Sequence, residues 1–160
     1  MDQAGGTHAM QPRLFPSRCV AVALSLAMIG GAVGAAQAGS ITVNDGWIRA
    51  MPSNVSSGGY FLLTNGTGKR IVLVGASSPA CGMLMLHKTE TAGGMARMVE
   101  VPSIPIAVGA HLSFAPGGYH LMCMDPTPAI KPGNHVAVTL EFEGGTKVTT
   151  DFKVRSATGR

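Results

Sequence analysis

Short alternating segments separated by turn residues are the feature that most limits how this 160-residue chain can fold. From residue 41 onward, apolar and polar side chains alternate within each segment, and Gly, Pro or Asn stands at each junction. No segment keeps the helical period of about 3.6 residues. Because alternation places successive side chains on opposite faces of a strand, the pattern predicts an all-β fold.

About nine short strands follow from this pattern. The predicted strand segments are residues 41–52, 58–79 (two strands), 82–101 (two strands), 111–116, 117–124, 135–144 and 146–154. Asn-Gly-Thr-Gly at residues 65–68 predicts a hairpin turn, and Gly93-Gly94 and Gly144-Gly145 predict two more. Short antiparallel strands at this spacing favour a Greek-key β-sandwich or small β-barrel, with no second domain.

The first 38 residues have the layout of a secretory signal peptide. Arg13 and Arg18 precede a short apolar stretch, and residues 36–38 form an Ala-x-Ala cleavage signal. We expect cleavage after Ala38. Since Cys19 lies at the start of the apolar stretch and not at the cleavage point, we expect no lipid-modified N-terminus.

Residues 39–160 would then be a single exported domain in the periplasm, with no stable membrane insertion after cleavage. The formal net charge of the whole chain is +4, and its basic residues are scattered instead of forming a block. This distribution does not favour a nucleic-acid partner. We also find no hydrolase, zinc-protease or phosphate-loop motif, so we expect that the protein is not an enzyme.

Two cysteines remain after the signal peptide, Cys81 and Cys123. In an oxidising compartment a lone pair of cysteines favours a disulfide. The residue alternation leaves a second possibility open, because it places Cys81 on the His87 face of its strand and Cys123 on the Leu121 face of its own. The alternative is a pair of thiols near a metal site, one of them a ligand.

Soft metal donors are concentrated in this domain, which contains seven of the ten methionines and four of the five histidines. In the segment YHLMCMD (residues 119–125), His120, Met122 and Met124 share a parity and point to one face of a strand. Thioethers select Cu(I), and imidazole accepts either copper oxidation state. The hard oxygen ligands that Ca²⁺ or Mg²⁺ needs are scarce. Copper is therefore the metal that this composition favours.

The spacing of four of these residues matches a known pattern. His87, Met98, His120 and Met122 follow the order H-x10-M-x21-H-x-M. With the flanking segments ITVNDGWIRAMP, MLMLHKTE and PGGYHLMCM, the chain resembles the periplasmic copper chaperones of the PCu(A)C family over residues 40–154.

The resemblance implies a cupredoxin-like β-barrel in which His87, Met98, His120 and Met122 bind one Cu(I) ion. It implies a copper chaperone that delivers the ion to the copper-site subunit of cytochrome c oxidase or to another copper assembly factor. We expect a monomer. The chain ends without the His- and Met-rich tail of many relatives, which favours one copper site.

Three alternatives remain at this stage. A blue-copper electron-transfer protein would need a Cys thiolate, and only Cys123 is a candidate. A thiol-active assembly factor would use Cys81 and Cys123 to reduce a partner. A sandwich domain for adhesion would not explain four soft donors at these spacings.

Overall fold

The computed structural model describes residues 39–52 and 55–160. The predicted signal peptide, residues 1–38, lies outside the described residues. Within them the chain forms ten β-strands and one 3-10 turn at Glu143–Gly145, with no α-helix. The all-β prediction is confirmed.

The strands, numbered in chain order, are β1 (Ile41–Arg49), β2 (Ser57–Asn65), β3 (Ile71–Ser77), β4 (Cys81–Ala92), β5 (Met95–Glu100), β6 (Ile104–Ile106), β7 (His111–Phe114), β8 (Tyr119–Pro126), β9 (His135–Phe142) and β10 (Lys147–Arg155). They form one sheet in the order β5-β4-β8-β7-β2-β1-β10-β9-β3-β6, and β8 also pairs with β2. The β1–β10 and β7–β8 pairs are parallel, and the other pairs are antiparallel.

One hydrophobic core lies on the concave side of the sheet. Inward-facing residues from strands far apart in the sheet order belong to the same cluster, including Leu73 of β3, Leu86 of β4, Leu121 of β8 and Phe152 of β10. A sheet can bury residues of β3 and β4 together only if it curls around them. The curled single sheet agrees with the predicted barrel-like architecture.

Two of the predicted hairpins are confirmed. β4 and β5 pair around Gly93 and Gly94, and β9 and β10 pair across the 3-10 turn. Gly93 and Gly94 both have positive φ, 58° and 79°, as a two-residue type I′ turn requires. This turn sets the register of β5 against β4, and with it the position of Met98.

The prediction of a hairpin turn at residues 65–68 is wrong. β2 pairs with β1, β7 and β8, whereas β3 pairs with β6 and β9. The segment is therefore a crossover. Asn65 is fully buried, and its amide nitrogen donates to the carbonyls of Lys69, Ile106 and Ala107. These bonds connect the end of β2 to the loop after β6. A turn signal depends only on neighbouring residues and does not reveal such a long-range contact.

The tenth strand, β6, was not predicted, because Pro105 interrupts its three residues. Pro105 is exposed, while Ile104 and Ile106 on either side are buried. β6 pairs only with β3 and ends the sheet. Proline is tolerated at such an edge because its missing N–H removes no hydrogen bond between strands of the sheet.

No helix in the described ranges has the length and apolar character needed to cross a membrane.

Candidate metal centre

Strand β4 lies between β5 and β8 at one end of the sheet. In the antiparallel β4–β8 pair, His87 is directly opposite His120, and Met85 is directly opposite Met122. Directly opposite residues of an antiparallel pair point to the same face. This register therefore brings three of the four residues from the sequence pattern, His87, His120 and Met122, to one surface.

Met98 reaches the same surface from the other side of β4. It is opposite Thr89 in the β4–β5 register, and Glu100 is opposite His87. Met98 is thus a diagonal neighbour of His87 across the β4–β5 pair. Met122 is a diagonal neighbour of His87 across the β4–β8 pair. Diagonal neighbours lie about 7–8 Å apart at the backbone, a distance that long side chains span. All four residues lie on one face of three adjacent strands, which we call the donor face.

The two imidazoles of the donor face have unpaired ring nitrogens. The His120 ring is 4% exposed, and its Nδ1 lies 3.1 Å from the carbonyl oxygen of Gly118. When Nδ1 donates to that carbonyl, Nε2 presents a lone pair, and Nε2 is buried without a partner. His87 Nδ1 is also buried without a partner. The two ring centroids are 5.9 Å apart.

The pKa of His87 is lowered from its ordinary value of 6.5, first by burial and then by the nearby His120. Glu100 opposes this shift. Burial disfavours the charged imidazolium, so His87 stays neutral over a wider pH range than a solvated histidine. A neutral imidazole is the form that binds a metal.

A cavity of about 340 Å³ opens beside the donor face. Met98, His120 and Met122 contribute to its wall, together with Gly58 and Tyr60 of β2. Gly58 is opposite Met122 in the β2–β8 register, and a Cβ at this position would lie 2.6 Å from the Tyr60 hydroxyl oxygen. Glycine at this position therefore leaves room for the Tyr60 side chain in the cavity wall beside Met122.

Sequence reasoning missed two contributors to this region. Glu100 lies next to His87 on the donor face, and Arg49 lines the cavity. Glu100 could have been found, because centring the hairpin on Gly93 and Gly94 places it opposite His87. Arg49 comes from β1, which is distant in sequence, and no local signal identifies it.

The two remaining histidines of the described residues lie elsewhere. His111 Nδ1 contacts the Thr64 hydroxyl at 2.8 Å, and His135 Nδ1 contacts an Asp151 carboxylate oxygen at 2.6 Å. Both are exposed. They are natural controls for the histidines of the donor face.

Cys81 and Cys123 form a disulfide that joins β4 to β8, with the two Cα atoms 5.4 Å apart. The sequence left open a pair of thiols beside a metal, and the structure excludes that arrangement. The bond also removes the thiolate that a blue-copper site requires. Cys123 is fully buried and Cys81 is partly buried.

The donor chemistry of this face suits a soft ion. Nowhere in the described part of the chain do three His, Cys, Asp or Glu side chains come together in a way that could hold a metal. A metal centre here would need methionine sulfur. Two imidazoles with free nitrogens and two thioethers fit Cu(I), whereas Zn²⁺ or Ca²⁺ would lack their preferred thiolate or oxygen ligands.

Fold and donor face together define a cupredoxin-like β-domain with a soft-donor surface. The chain belongs to the family described as "Putative lipoprotein LpqE-like", whose model matches residues 41–154. A protein of Leifsonia xyli subsp. xyli (strain CTCB07), named "Putative lipoprotein Lxx21020", is 34% identical over 124 residues, which cover 77% of this chain and 74% of the relative.

Solved structures of PCuAC domains share the fold. The copper-bound PCuAC domain from PmoF2 is 23% identical, with a TM-score of 0.61 over 74% of this chain and 95% of that one. The solution structure of Cu(I)-bound DR1885 from Deinococcus radiodurans is 33% identical, with a TM-score of 0.60 over 75% of this chain and 81% of that one. The resemblance to the PCu(A)C family is confirmed.

Proposed function

We propose that this protein is a copper chaperone that binds one Cu(I) ion tightly through His87, Met98, His120 and Met122. The observation that carries the proposal is the β4–β8 register, which sets His87 opposite His120 with buried, unpaired ring nitrogens in both. Buried polar atoms without partners are costly, so their presence calls for an explanation. A bound metal ion supplies the missing partner.

The neutral ligand set suits a carrier. Four uncharged ligands hold Cu(I) without a thiolate, so a recipient that offers cysteines can displace them. The exposure of Met98, whose side chain is 60% accessible, leaves one ligand within reach of an incoming protein. Ligand exchange can then begin at Met98 while the buried His120 still holds the ion. These features support copper transfer as the function, with no catalytic step.

The recipient and the compartment are part of the proposal. The family resemblance favours the copper-site subunit of cytochrome c oxidase or another copper assembly factor as the recipient. The basic and apolar segments of residues 13–38, followed by the Ala-x-Ala signal, favour export to the periplasm. The thiol-active alternative is less favoured, because Cys123 is fully buried within its disulfide.

The test is copper stoichiometry under anaerobic, reducing conditions, combined with X-ray absorption at the copper edge. We expect one tightly bound Cu(I) with mixed nitrogen and sulfur ligands. His120→Ala and Met122→Leu should each weaken binding by about 100-fold or more, since loss of even a group that only supports a ligand costs about 10–100-fold.

Matched variants control for general damage. His111→Ala removes an exposed histidine, and Met95→Leu removes a β5 methionine that is 76% exposed and has the opposite parity to Met98. Both should bind copper like the wild type. If binding were indifferent to His120→Ala and Met122→Leu, the donor face would not be the copper site.

A further inference from the structure

The donor face continues beyond the four proposed ligands. Along β4 and β8, the next pair after Met85–Met122 is Met83–Met124, again directly opposite each other. Three methionines that the proposed copper site does not use therefore lie together on this face. We call Met83, Met85 and Met124 the methionine cluster.

The cluster is accessible to an ion from solvent. The Met83 side chain is 57% exposed, and Met85 and Met124 are partly buried. A single exposed apolar side chain is ordinary on a protein surface. Met83, however, lies beside two other methionines. Opposite residues have Cβ atoms about 4.5–5.5 Å apart, and flexible methionine side chains can converge across that distance.

One sulfur of the cluster is already held in position. The Ser56 hydroxyl donates to Met124 Sδ at 3.0 Å. A thioether sulfur has two lone pairs, so this bond leaves one for a metal. Ser56 adjoins β2, on the other side of β8 from Met83, so the hydrogen bond fixes the Met124 sulfur from the β2 side while β4 supplies Met83 and Met85.

We propose that Met83, Met85 and Met124 form a second, weaker binding site for a soft monovalent cation, Cu(I) or Ag(I). The site has three neutral thioether ligands and no imidazole, thiolate or carboxylate, which selects a soft monovalent ion over Zn²⁺, Ca²⁺ or Mg²⁺. It is adjacent to the proposed chaperone site, since Met85 is opposite Met122. An ion held there has a short path along β4 to His87.

The experiment is an Ag(I) titration of the purified protein followed by the ¹³C-methyl signals of its methionines. Silver is a redox-silent probe for Cu(I) sites. We expect the first equivalent to shift the methyl signals of Met98 and Met122. The second equivalent should shift those of Met83, Met85 and Met124, and leave that of Met95 in place.

The discriminating variant is Met83→Leu combined with Met124→Leu, which keeps the shape of the surface but removes two sulfurs. It should bind one Ag(I) in place of two, with the first equivalent unchanged. The converse variant, His87→Ala with His120→Ala and Met98→Leu, should keep one Ag(I) with sulfur-only ligands by X-ray absorption. Adding the two cluster substitutions to it should abolish that binding.

The outcomes separate the two proposals. If the first equivalent left Met98 and Met122 unshifted, the proposed chaperone site would be wrong, whatever happened at the cluster. If a second equivalent did not bind, or bound equally to the Met83→Leu, Met124→Leu variant, the methionine cluster would be packing only. A second equivalent that shifted Met95 would place the site elsewhere.

Discussion

At the scale of single residues, the site depends on how its histidines are held. The contact between His120 Nδ1 and the Gly118 carbonyl selects the tautomer with a free Nε2, as a hydrogen bond from the other ring nitrogen does for metal-ligating histidines generally. Burial keeps His87 neutral, although Glu100 lies opposite it. Each imidazole therefore offers an electron pair before any metal arrives.

The lowered pKa of His87 predicts a pH dependence of stability in the metal-free protein. Near its ordinary pKa of 6.5, the unfolded chain takes up a proton that the folded His87 resists. The free energy of unfolding should therefore fall as the pH drops through 6.5 toward the lower folded value. Urea unfolding of the wild type and His87→Gln at pH about 7.5 and about 5.5 measures this contribution.

We expect the wild type to lose more stability than His87→Gln between the two pH values, because glutamine does not titrate. Titratable groups away from His87 affect both proteins alike, and the comparison cancels their contribution. Equal losses in the two proteins would contradict the assigned role of burial at His87.

At the scale of strands, β4 organises the site because it is paired on both sides. Its pairing with β5 is local, and centring the turn on Gly93 and Gly94 is enough to predict that Met98 lies opposite Thr89. Its pairing with β8 is not local. The disulfide between Cys81, at the start of β4, and Cys123 of β8 links the two strands covalently and so supports the register that sets His87 opposite His120.

Removing the disulfide should lower stability without removing the metal ligands. The two cysteines are 42 residues apart, and a loop of that size predicts that the Cys81→Ala, Cys123→Ala variant is less stable by about 4 kcal/mol. Urea unfolding with and without a reductant measures this difference, since reduction should destabilise only the wild type.

Under conditions where it is folded, the cysteine-free variant should bind Cu(I) with wild-type affinity, because no sulfur of Cys81 or Cys123 is a ligand in our proposal. A loss of copper binding by the folded variant would revive a role for these cysteines at the site.

At the scale of the whole molecule, the site lies at one edge of the sheet. β5 ends the strand order and pairs only with β4, and most of its side chains are exposed. The core, by contrast, draws on each of the other nine strands. An edge strand with few buried contacts opens more readily than a core strand. A metal bound to Met98 would tie this edge to β4 and β8.

Metal binding should therefore protect β5 from hydrogen exchange and raise global stability. With free Cu(I) or Ag(I) at about 100 times Kd, the stabilisation should be about 3 kcal/mol. Hydrogen exchange with and without metal should show slower exchange at β5 amides that exchange through local opening, and core amides of β9 and β10 that exchange through global unfolding should slow in line with the global stabilisation. Met98→Leu should remove the protection of β5, whereas Met95→Leu should keep it. Exchange in β5 that is unchanged by metal would contradict a contact between the bound metal and Met98.

Much of this protein could be predicted from its sequence. Alternation and turn residues predict the all-β fold class, because each of these signals depends only on neighbouring residues. The β4–β5 hairpin can also be predicted from neighbouring residues, because its turn is formed by Gly93 and Gly94. The parity of His120, Met122 and Met124 on β8 follows from the two-residue strand period. The family resemblance then added His87 and Met98 to His120 and Met122 as proposed ligands, and their ligation of copper stays a prediction.

Only the tertiary structure decided which strands are neighbours. The crossover after Asn65, the edge strand β6 and the β4–β8 register all join segments far apart in the chain. Such pairings are selected by burial against a common core, and a shift by one residue would turn His87 away from His120. The sequence by itself determined which donors are present and which of them share a strand face. The curled sheet decided that two such faces meet, because the β4–β8 register sets Leu86 directly opposite Leu121 and buries both in the core.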